Sequence, residues 1–563
     1  MKLINGLGKV FLWLLPIGFL VFFYFQPLLA NFRIAFQSAN FEKIISSWDL
    51  ISGPIFFTFW QAILSTIITI IVGFPAAYMM AKFRFWGKSF LQLLITLPFI
   101  MPTVVVAAGF NALLGPKGWL NVLLQSIFSL ENPPLQIINT LGAILLAHVF
   151  YNSTVFIRVV GGAWGQLDPN VEFAARSLGA SPFKVLKQVT LPLLKPAIYS
   201  AILLVFLFNF TSFAVILLLG GPKFSTIEVE IYIQALNMFN LPLAGFLSAI
   251  QLFFTLAITV IYTRLTRKKS VQLIPRDPEE VMKPVRTWKE RLYVSIVSTY
   301  LVGLFVLPLL SLLIKSIVIV DPMGGNSISF NNFHVSLVYY QELFINRRES
   351  LFYVPPITAI MNSLYFGLIT VGIALFLGFL ATKLISSRNV LGSILDPILM
   401  LPLGTSAVTL GLGFILVFNR PPIDVRSFPL LIPIAHALVA MPFVVRVLQP
   451  VISSFPRELI YSSMVLGASP LRTFWQIEFP ILFRAIMSAA LFAFTISLGE
   501  FGATTFISRP EHPTIPIAIY RYLSQPGAMN YGQAMAMSTI LMLICALTIL
   551  TIEKLNLPGI KEF

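Results

Sequence analysis

A succession of apolar segments constrains this chain more than any other feature of its sequence. Each segment is about 20 residues long, the length of helix that crosses the hydrocarbon core of a bilayer. Apolar residues make up 57% of the 563 residues and charged residues only 11%, which excludes a soluble globular protein. The sequence therefore predicts an all-α polytopic membrane protein. Its twelve spans are expected at about residues 9–31, 54–81, 89–114, 138–160, 196–221, 241–264, 291–317, 358–383, 391–418, 429–450, 483–507 and 531–553.

The basic residues predict the orientation of these spans. With twelve spans, both chain termini lie on one side of the membrane. On that side the connector from Arg264 to Arg291 carries nine Lys or Arg against four Asp or Glu, whereas the opposite loop 318–356 carries two against three. Because basic loops stay in the cytoplasm, both termini are predicted to be cytoplasmic, in a bacterial or archaeal plasma (inner) membrane. The net charge of +16 is then a topology signal, with lipid rather than nucleic acid as the partner.

The two halves of the chain repeat each other in register. His148 and His436 are 288 residues apart, and so are Tyr232 and Tyr520. Upstream the offset is 304, so the first half carries 16 additional residues in an outer loop near 115–135. Six spans in the same orientation in each half make the repeat parallel, with a pathway expected between the halves. The predicted domains are a first transmembrane unit at 1–265, a cytoplasmic linker at 266–290 and a second transmembrane unit at 291–563.

A polar element occurs once in each half, between apolar spans. The first copy runs from Glu172 to Pro192 and the second from Glu458 to Pro480. Each contains Gly-Ala-Ser-Pro, with a β-branched residue ten positions after the Gly and a Pro thirteen positions after it. The Gly permits a bend between two helices, and the Pro is expected to end the element. The pattern predicts two short helices on the cytoplasmic face of each half; ordinary amphipathic helices at the membrane surface are the alternative.

Motifs for catalysis are missing from the sequence. No Gly-x-x-x-x-Gly-Lys-Ser/Thr occurs, so the chain builds no P-loop and does not hydrolyse ATP itself. It also has no His-Glu-x-x-His, no Cys-x-x-Cys and no nucleophile elbow, and Cys545 is its single cysteine. Neither an enzyme activity nor a cofactor nor a metal site is therefore predicted. His148 and His436 are expected to pack within their spans, because a His without clustered partners is a poor metal site.

The repeated element resembles the EAA motif of the membrane subunits of binding-protein-dependent ABC importers, Glu-Ala-Ala-x(3)-Gly-x(9)-Ile-x-Leu-Pro. Both copies keep the Gly and the final Pro, and the first copy keeps Ala-Ala. The motif Glu falls on Phe173, with Glu172 one position early, and the second copy has Tyr461-Ser462-Ser463 in place of Glu-Ala-Ala. The resemblance covers nearly the whole chain.

This resemblance implies a type I ABC importer permease fold, with two copies of a separate ATPase and an extracytoplasmic substrate-binding protein as partners. In that family the first short helix of the motif inserts into a groove on the ATPase. The residues that the resemblance and the repeat assign to this coupling are Glu172, Ala174, Ala175, Gly179, Ala180, Ser181, Pro192, Glu458, Ser463, Gly467, Ala468, Ser469 and Pro480.

Four further stretches are similar to fused two-half permeases of the thiamine and ferric-iron type. They are residues 59–65, 146–152, 219–232 and 497–502. The similarity implies a small hydrophilic substrate, ferric iron or a thiamine-like compound, and leaves these two open. The charged outer loops 222–240 and 508–530 suit docking of a binding protein, or are solvated loops without a partner.

Polar residues inside predicted spans are candidates for the translocation pathway. Glu500 is expected to be the one carboxylate within a predicted span, 483–507, where an ionised side chain costs about 2.5–3.5 kcal/mol. It is therefore expected to face the pathway, favouring a cation, or to be hydrogen-bonded for packing. Its repeat mate is Ser212, and Asn209, Asn152 and Asn362 are further candidates, although hydrogen bonds between helices are a common use of such residues.

Two other classes of protein compete with the importer. An ion-coupled secondary transporter also often has two parallel six-span halves. It predicts several carboxylates inside the membrane and no repeated cytoplasmic element. A channel or a structural scaffold leaves the repeated elements unexplained.

Overall fold

The computed structural model describes residues 14–37, 47–267, 282–320, 333–345, 354–386, 390–420, 423–424 and 428–554. Most of this part of the chain is helical. In chain order the helices are α1 (Leu14–Ala35), α2 (Trp48–Lys82), α3 (Lys88–Ile100), α4 (Thr103–Leu114), α5 (Trp119–Phe128), α6 (Leu141–Gly165), α7 (Pro169–Ser177), α8 (Pro182–Phe210), α9 (Ala214–Leu219), α10 (Ile227–Tyr232), α11 (Leu241–Arg267), α12 (Trp288–Ile317), α13 (Val338–Gln341), α14 (Pro356–Ile385), α15 (Val390–Met400), α16 (Ala407–Phe418), α17 (Leu431–Ser453), α18 (Arg457–Val465), α19 (Pro470–Gly499), α20 (Gly502–Ile507), α21 (Ile515–Leu523) and α22 (Ala528–Lys554).

Short strand pairs connect a few of the helices. β1 (Phe83–Arg84) runs parallel to β2 (Lys283–Pro284), β3 (Val318–Val320) antiparallel to β4 (Phe333–Val335), and β5 (Asn419–Arg420) antiparallel to β6 (Ile423–Asp424). These pairs are two or three residues long, so they fasten loops and form no sheet layer.

Ten of the described helices are long and apolar enough to cross a membrane, and the number rises to twelve if each of two bent helix pairs is one span. The predicted all-α polytopic class is confirmed, but the predicted spans 89–114 and 391–418 are broken, with bends of 110° and 98°. In the first of them Met101 is extended, because Pro102 disfavours a helical conformation in the residue before it.

The structure corrects the expectation that Pro192 and Pro480 end the repeated elements. Each element continues into the following span as one helix, α8 or α19, which begins well before the predicted spans 196–221 and 483–507. A π-helical turn precedes each proline, at Leu186–Thr190 and at Phe474–Glu478. This wider turn shifts the carbonyl groups that the proline ring would otherwise meet, so the helix passes through the proline.

The chain groups into two compact units. Unit A comprises Trp48–Val229 and Phe253–Ser336, and unit B comprises Met1–Ser47, Glu230–Leu252 and Leu337–Phe563. The predicted domains at 1–265, 266–290 and 291–563 follow the sequence repeat and stay a prediction; residues 268–281 of that linker lie outside the described residues. The two compact units differ from the two sequence repeats, since α12 belongs to unit A and α1 to unit B.

In unit A, α2 lies along α6 and α8 around a core that includes Phe156 and Trp164. α12 packs against α4 at Gly109, where a Cβ would lie 2.9 Å from the carbonyl oxygen of Pro308. A glycine is therefore needed for these two helices to approach as closely as they do.

In unit B, α14 lies along α17 and α19 around small core residues such as Ala440 and Ala489. α1 packs against α16 at Gly413, where a Cβ would lie 2.6 Å from the carbonyl oxygen of Pro27. Gly413 is the repeat mate of Gly109 at the upstream offset of 304. Each unit thus builds the same glycine-dependent crossing.

Candidate functional site

Each repeated element, taken as residues 169–192 and 457–480, bends at its glycine. Gly179 has φ +86° and Gly467 has φ +81°, in the left-handed region that a Cβ disfavours. In the first element the turn is closed by the amide of Gly179 donating to the carbonyl of Arg176, at 2.9 Å. The second element makes the matching bond at 3.0 Å. The predicted bend between two helices is therefore present in both elements.

The Ser-Pro pair of each element starts the second helix. The Ser181 hydroxyl accepts a hydrogen bond from the backbone amide of Lys184 at 3.4 Å, and Ser469 accepts one from the amide of Arg472 at 3.3 Å. The following proline occupies the first helical position, where its missing N–H leaves no bond unmade. The Gly-Ala-Ser-Pro tetrapeptide thus encodes a helix end, a bend and a helix start.

The remaining predicted coupling residues differ in exposure. Ser463 is buried, and its hydroxyl lies 2.8 Å from that of Thr473, so this side chain joins the two helices of the second element instead of facing a partner. The exposed members are Ala174, Gly179, Ser181, Pro192, Glu458, Gly467, Ser469 and Pro480, and the half-buried ones are Glu172, Ala175, Ala180 and Ala468.

Large apolar side chains at matched positions stand exposed on both elements. Leu178 is 89% exposed and its repeat mate Leu466 is 87% exposed. Three more pairs repeat this agreement in exposure: Val171 with Leu459, Phe173 with Tyr461, and Phe183 with Leu471. These four pairs are called the apolar set below. Sequence reasoning named the small residues and missed the apolar set, because apolar residues in such a chain are too common to single out. The signal that could have found it is their agreement at the offset of 288.

Glu172, expected to contact the ATPase, is engaged within the chain. One carboxylate oxygen lies 2.9 Å from the ammonium of Lys82, the last residue of α2. The other accepts a hydrogen bond from the hydroxyl of Thr190 at 2.9 Å. The second unit contains a comparable ion pair, Lys383 with Glu478, also at 2.9 Å.

The matched histidines lie in polar clusters inside their units. His148 is buried between the hydroxyls of Ser65 at 2.9 Å and Ser212 at 2.8 Å. His436 is buried against the hydroxyls of Ser497 at 2.7 Å and Thr504 at 2.8 Å. Both ring nitrogens of each histidine are thus hydrogen-bonded. Among the described residues no group of three or more His, Cys, Asp or Glu could hold a metal ion.

Glu500 lies at the break between α19 and α20, and it caps α20. Its carboxylate accepts hydrogen bonds from the backbone amides of Ala503 at 2.7 Å and Thr504 at 3.0 Å, and from the Thr504 hydroxyl. The Nε2 atom of His436 lies 3.2 Å away. Because the first amides of a helix have no partner within the helix, capping of α20 and the neighbouring His436 account for the position of this buried carboxylate.

Two of the predicted pathway asparagines meet each other. Asn152 donates to the side-chain oxygen of Asn209 at 2.6 Å. Asn209 contacts the Thr66 hydroxyl at 3.3 Å, and its carbonyl accepts a bond from Gln61 at 2.8 Å. These contacts join α2, α6 and α8 within unit A. Asn362, in unit B, donates to the carbonyl of Pro513 at 3.1 Å.

A family model described as the binding-protein-dependent transport system inner membrane component matches the chain twice, at residues 70–271 and 351–561. The chain belongs to this family. Each matched region contains one repeated element. Permeases of such systems work with an ATPase and a substrate-binding protein, and the many apolar helices place this one in a membrane as a multi-pass protein.

Relatives extend this similarity to the whole chain. The thiamine transport system permease protein of Escherichia coli strain K12 is 28% identical over 547 residues, covering 94% of each chain. The thiamine transport system permease protein of Haemophilus influenzae is 25% identical over 538 residues, 94% of this permease and 93% of that protein. A probable ABC transporter permease protein of Sinorhizobium fredii is 23% identical over 573 residues, 99% and 98% of the two chains. The present chain is thus a fused, two-half ABC importer permease.

Asp396 of the permease is a second carboxylate in a predicted span that the sequence analysis did not identify. It lies in α15, inside the predicted span 391–418, so Glu500 is not the only carboxylate in a predicted span. Within the described part of the chain its buried Oδ1 atom has no hydrogen-bond partner. A count of acidic residues in each predicted span would have found it.

Two matched tyrosines of the permease meet within unit B. The hydroxyls of Tyr232 and Tyr520 lie 3.3 Å apart, and the Tyr520 ring packs edge-on against Phe501. Burial, together with the neighbouring Tyr520 hydroxyl, raises the pKa of Tyr232 well above its ordinary value. Tyr232 therefore stays neutral at physiological pH, with its hydroxyl proton available for this contact.

Proposed function

We propose that this permease imports thiamine or a similar small hydrophilic cation, and that two copies of a separate ATPase bind its two repeated elements. The choice of substrate is based on the names of relatives that match nearly the whole chain. Ferric iron, the other substrate that the sequence resemblance leaves open, is an outcome of the test below.

The apolar set is the observation that supports docking of the ATPases. An exposed apolar surface that recurs at equivalent positions with nearly equal exposure is what two equivalent protein partners need. Gly179 and Gly467 have no atoms within 4 Å of where a Cβ would stand, so a partner can approach the bend. One ATPase for each element gives two for each chain.

The proposed cycle starts when ATP draws the two ATPases together and they carry the repeated elements with them. The permease then opens outward, and the binding protein releases its substrate into the pathway. ATP shifts this equilibrium only by the difference in its affinity for the two states. ATP hydrolysis belongs to the separate subunit, and both termini lie with the repeated elements in the cytoplasm.

For the predicted pathway residues we propose mainly structural roles. Ser212, Asn209 and Asn152 hold helices of unit A together, and Glu500 caps α20. Contact of Glu500 or Asn362 with the substrate stays a prediction.

Uptake into proteoliposomes tests the proposed function. The permease would be purified from its host with its ATPase and binding protein, and supplied with labelled thiamine or with ferric citrate. We expect uptake of thiamine that requires both ATP inside the vesicles and the binding protein. Uptake of iron alone would change the substrate, whereas uptake driven by an ion gradient without ATP would support a secondary transporter instead.

A further inference from the structure

Each unit contains an ion pair that connects its repeated element to the end of a long helix. In unit A, Lys82 ends α2 and pairs with Glu172 of the first element; in unit B, Lys383 lies in the last turn of α14 and pairs with Glu478 of the second element. Both pairs measure 2.9 Å, and the glutamate side chains are only 17% and 16% exposed.

The two glutamates are not repeat mates. The position that matches Glu478 is Thr190, whose hydroxyl donates to Glu172. The position that matches Glu172 is Ile460. The glutamate therefore lies in the first helix of the element in unit A and in the second helix in unit B. In both units its partner is a lysine at the end of the neighbouring long helix.

The two lysines do not occupy matched positions either. Thr58 in α2 and Ser363 in α14 each accept a hydrogen bond from the backbone amide of a matched isoleucine, Ile227 or Ile515. These equivalent bonds align Thr58 with Ser363, so matched positions in α2 and α14 are 305 residues apart in the sequence. Lys383 then lies four residues, about one helical turn, before the position that matches Lys82. Both members differ in position between the units and the ion pair is still formed.

We propose that Lys82–Glu172 and Lys383–Glu478 are positioning links, which carry the movement of a docked element to α2 and to α14. Each ion pair bonds the element directly to the end of a long helix, so a displacement of the element acts on that helix. Lys383 is held further by the rings of Phe379 and Phe474, at 5.0 and 5.5 Å from its ammonium. This inference rests on the proposed function and deepens it.

Docking of the ATPase and positioning of the element are assigned here to different side chains. Both carboxylate oxygens of Glu172 are occupied within unit A, by Lys82 and by Thr190. The apolar set binds the ATPase, and the glutamate fixes the bound element to the membrane-spanning helix. A variant that breaks the ion pair should therefore still bind the ATPase, and should lose the coupling of hydrolysis to uptake.

Charge reversal in the intact complex tests this. Lys383→Glu and Glu478→Lys, made singly, place like charges side by side; made together, they restore an opposite pair. We expect each single variant to bind the ATPase normally and to transport about tenfold less substrate for each ATP hydrolysed, within the range that couplings between sites span. The double variant is expected to recover most of that loss. Lys289→Glu, at an exposed lysine in the first turn of α12 and outside both elements, is the matched control and should transport normally.

The outcomes distinguish this proposal from the proposed function. If the unmodified permease transports with its ATPase but the single variants transport equally well, or the double variant is no better than either, the positioning links are wrong and the importer stands. A single variant that releases the ATPase would make the glutamate a docking residue and also overturn the links. Glu478→Gln, which removes the charge without repulsion, repeats the test if a reversal lowers the amount of folded protein. An unmodified permease that binds no ATPase would instead overturn the proposed function.

Discussion

At the level of single residues, Gly467 forms the bend of the second element, where we propose that an ATPase docks. A Cβ there meets no atom within 4 Å, so the cost of Gly467→Ala is the left-handed backbone, about 1–2 kcal/mol. We expect this variant to insert normally and to keep most of its uptake.

Gly467→Trp pays the same backbone cost and adds an indole where the ATPase is proposed to approach. It is expected to insert in the membrane, fail to retain the ATPase at the second element and lose uptake. Membrane content, co-purification of the ATPase and uptake would be measured together for both variants. Normal uptake by the Trp variant would contradict docking at this bend.

Glu500 offers a prediction that separates a structural carboxylate from one that binds substrate. Glu500→Gln keeps an acceptor for the backbone amides of α20 and loses the charge, so we expect the free energy of unfolding to fall by about 1–3 kcal/mol. Thermal unfolding in detergent measures this change. Substrate affinity of the variant that remains folded is expected to be unchanged. A variant as stable as the unmodified chain that no longer transports would place Glu500 in the pathway.

At the scale of elements, the crossing of α1 and α16 depends on Gly413. Its Cβ would lie 2.6 Å from a backbone oxygen of Pro27, which cannot rotate away, so Gly413→Ala is expected to destabilise the protein by about 1–3 kcal/mol. Gly372 in α14 is the matched control, because a Cβ there meets open space and alanine favours a helix by about 1 kcal/mol. Equal melting temperatures for the two variants in detergent would contradict the close crossing.

The repeated elements also show which local features a sequence encodes. The bend was predicted because Gly-Ala-Ser-Pro acts within a few residues. The serine cap, which lies in the same tetrapeptide, was not predicted. The π-helical turn before Pro192 was not predicted, because a proline in a sequence usually indicates the end of a helix. The ion pairs were beyond sequence reasoning, since Lys82 and Glu172 are 90 residues apart and Lys383 and Glu478 are 95 apart.

For the whole molecule, the apolar segments predicted twelve spans, a number that the structure reaches if each bent pair is one span, and the repeat predicted two equivalent halves. It did not predict that α1 groups with unit B and α12 with unit A, because an offset between two sequences says nothing about which helix packs against which. Asp396 is a different case, because a count of acidic residues in the predicted span 391–418 would have found it.

We propose above that one permease chain presents two equivalent docking surfaces for an ATPase. Native mass spectrometry of the complex purified from host membranes tests it most directly, applied to the unmodified chain, to Leu178→Glu, to Leu466→Glu and to both together. Trp86→Glu is the control, since Trp86 is 99% exposed and lies outside both elements. We predict two ATPases for the unmodified chain and the control, one for each single variant, and none for the double variant, because a charge in an apolar contact is costly to bury. A permease that retains two ATPases in the double variant, or never binds more than one, would contradict the account.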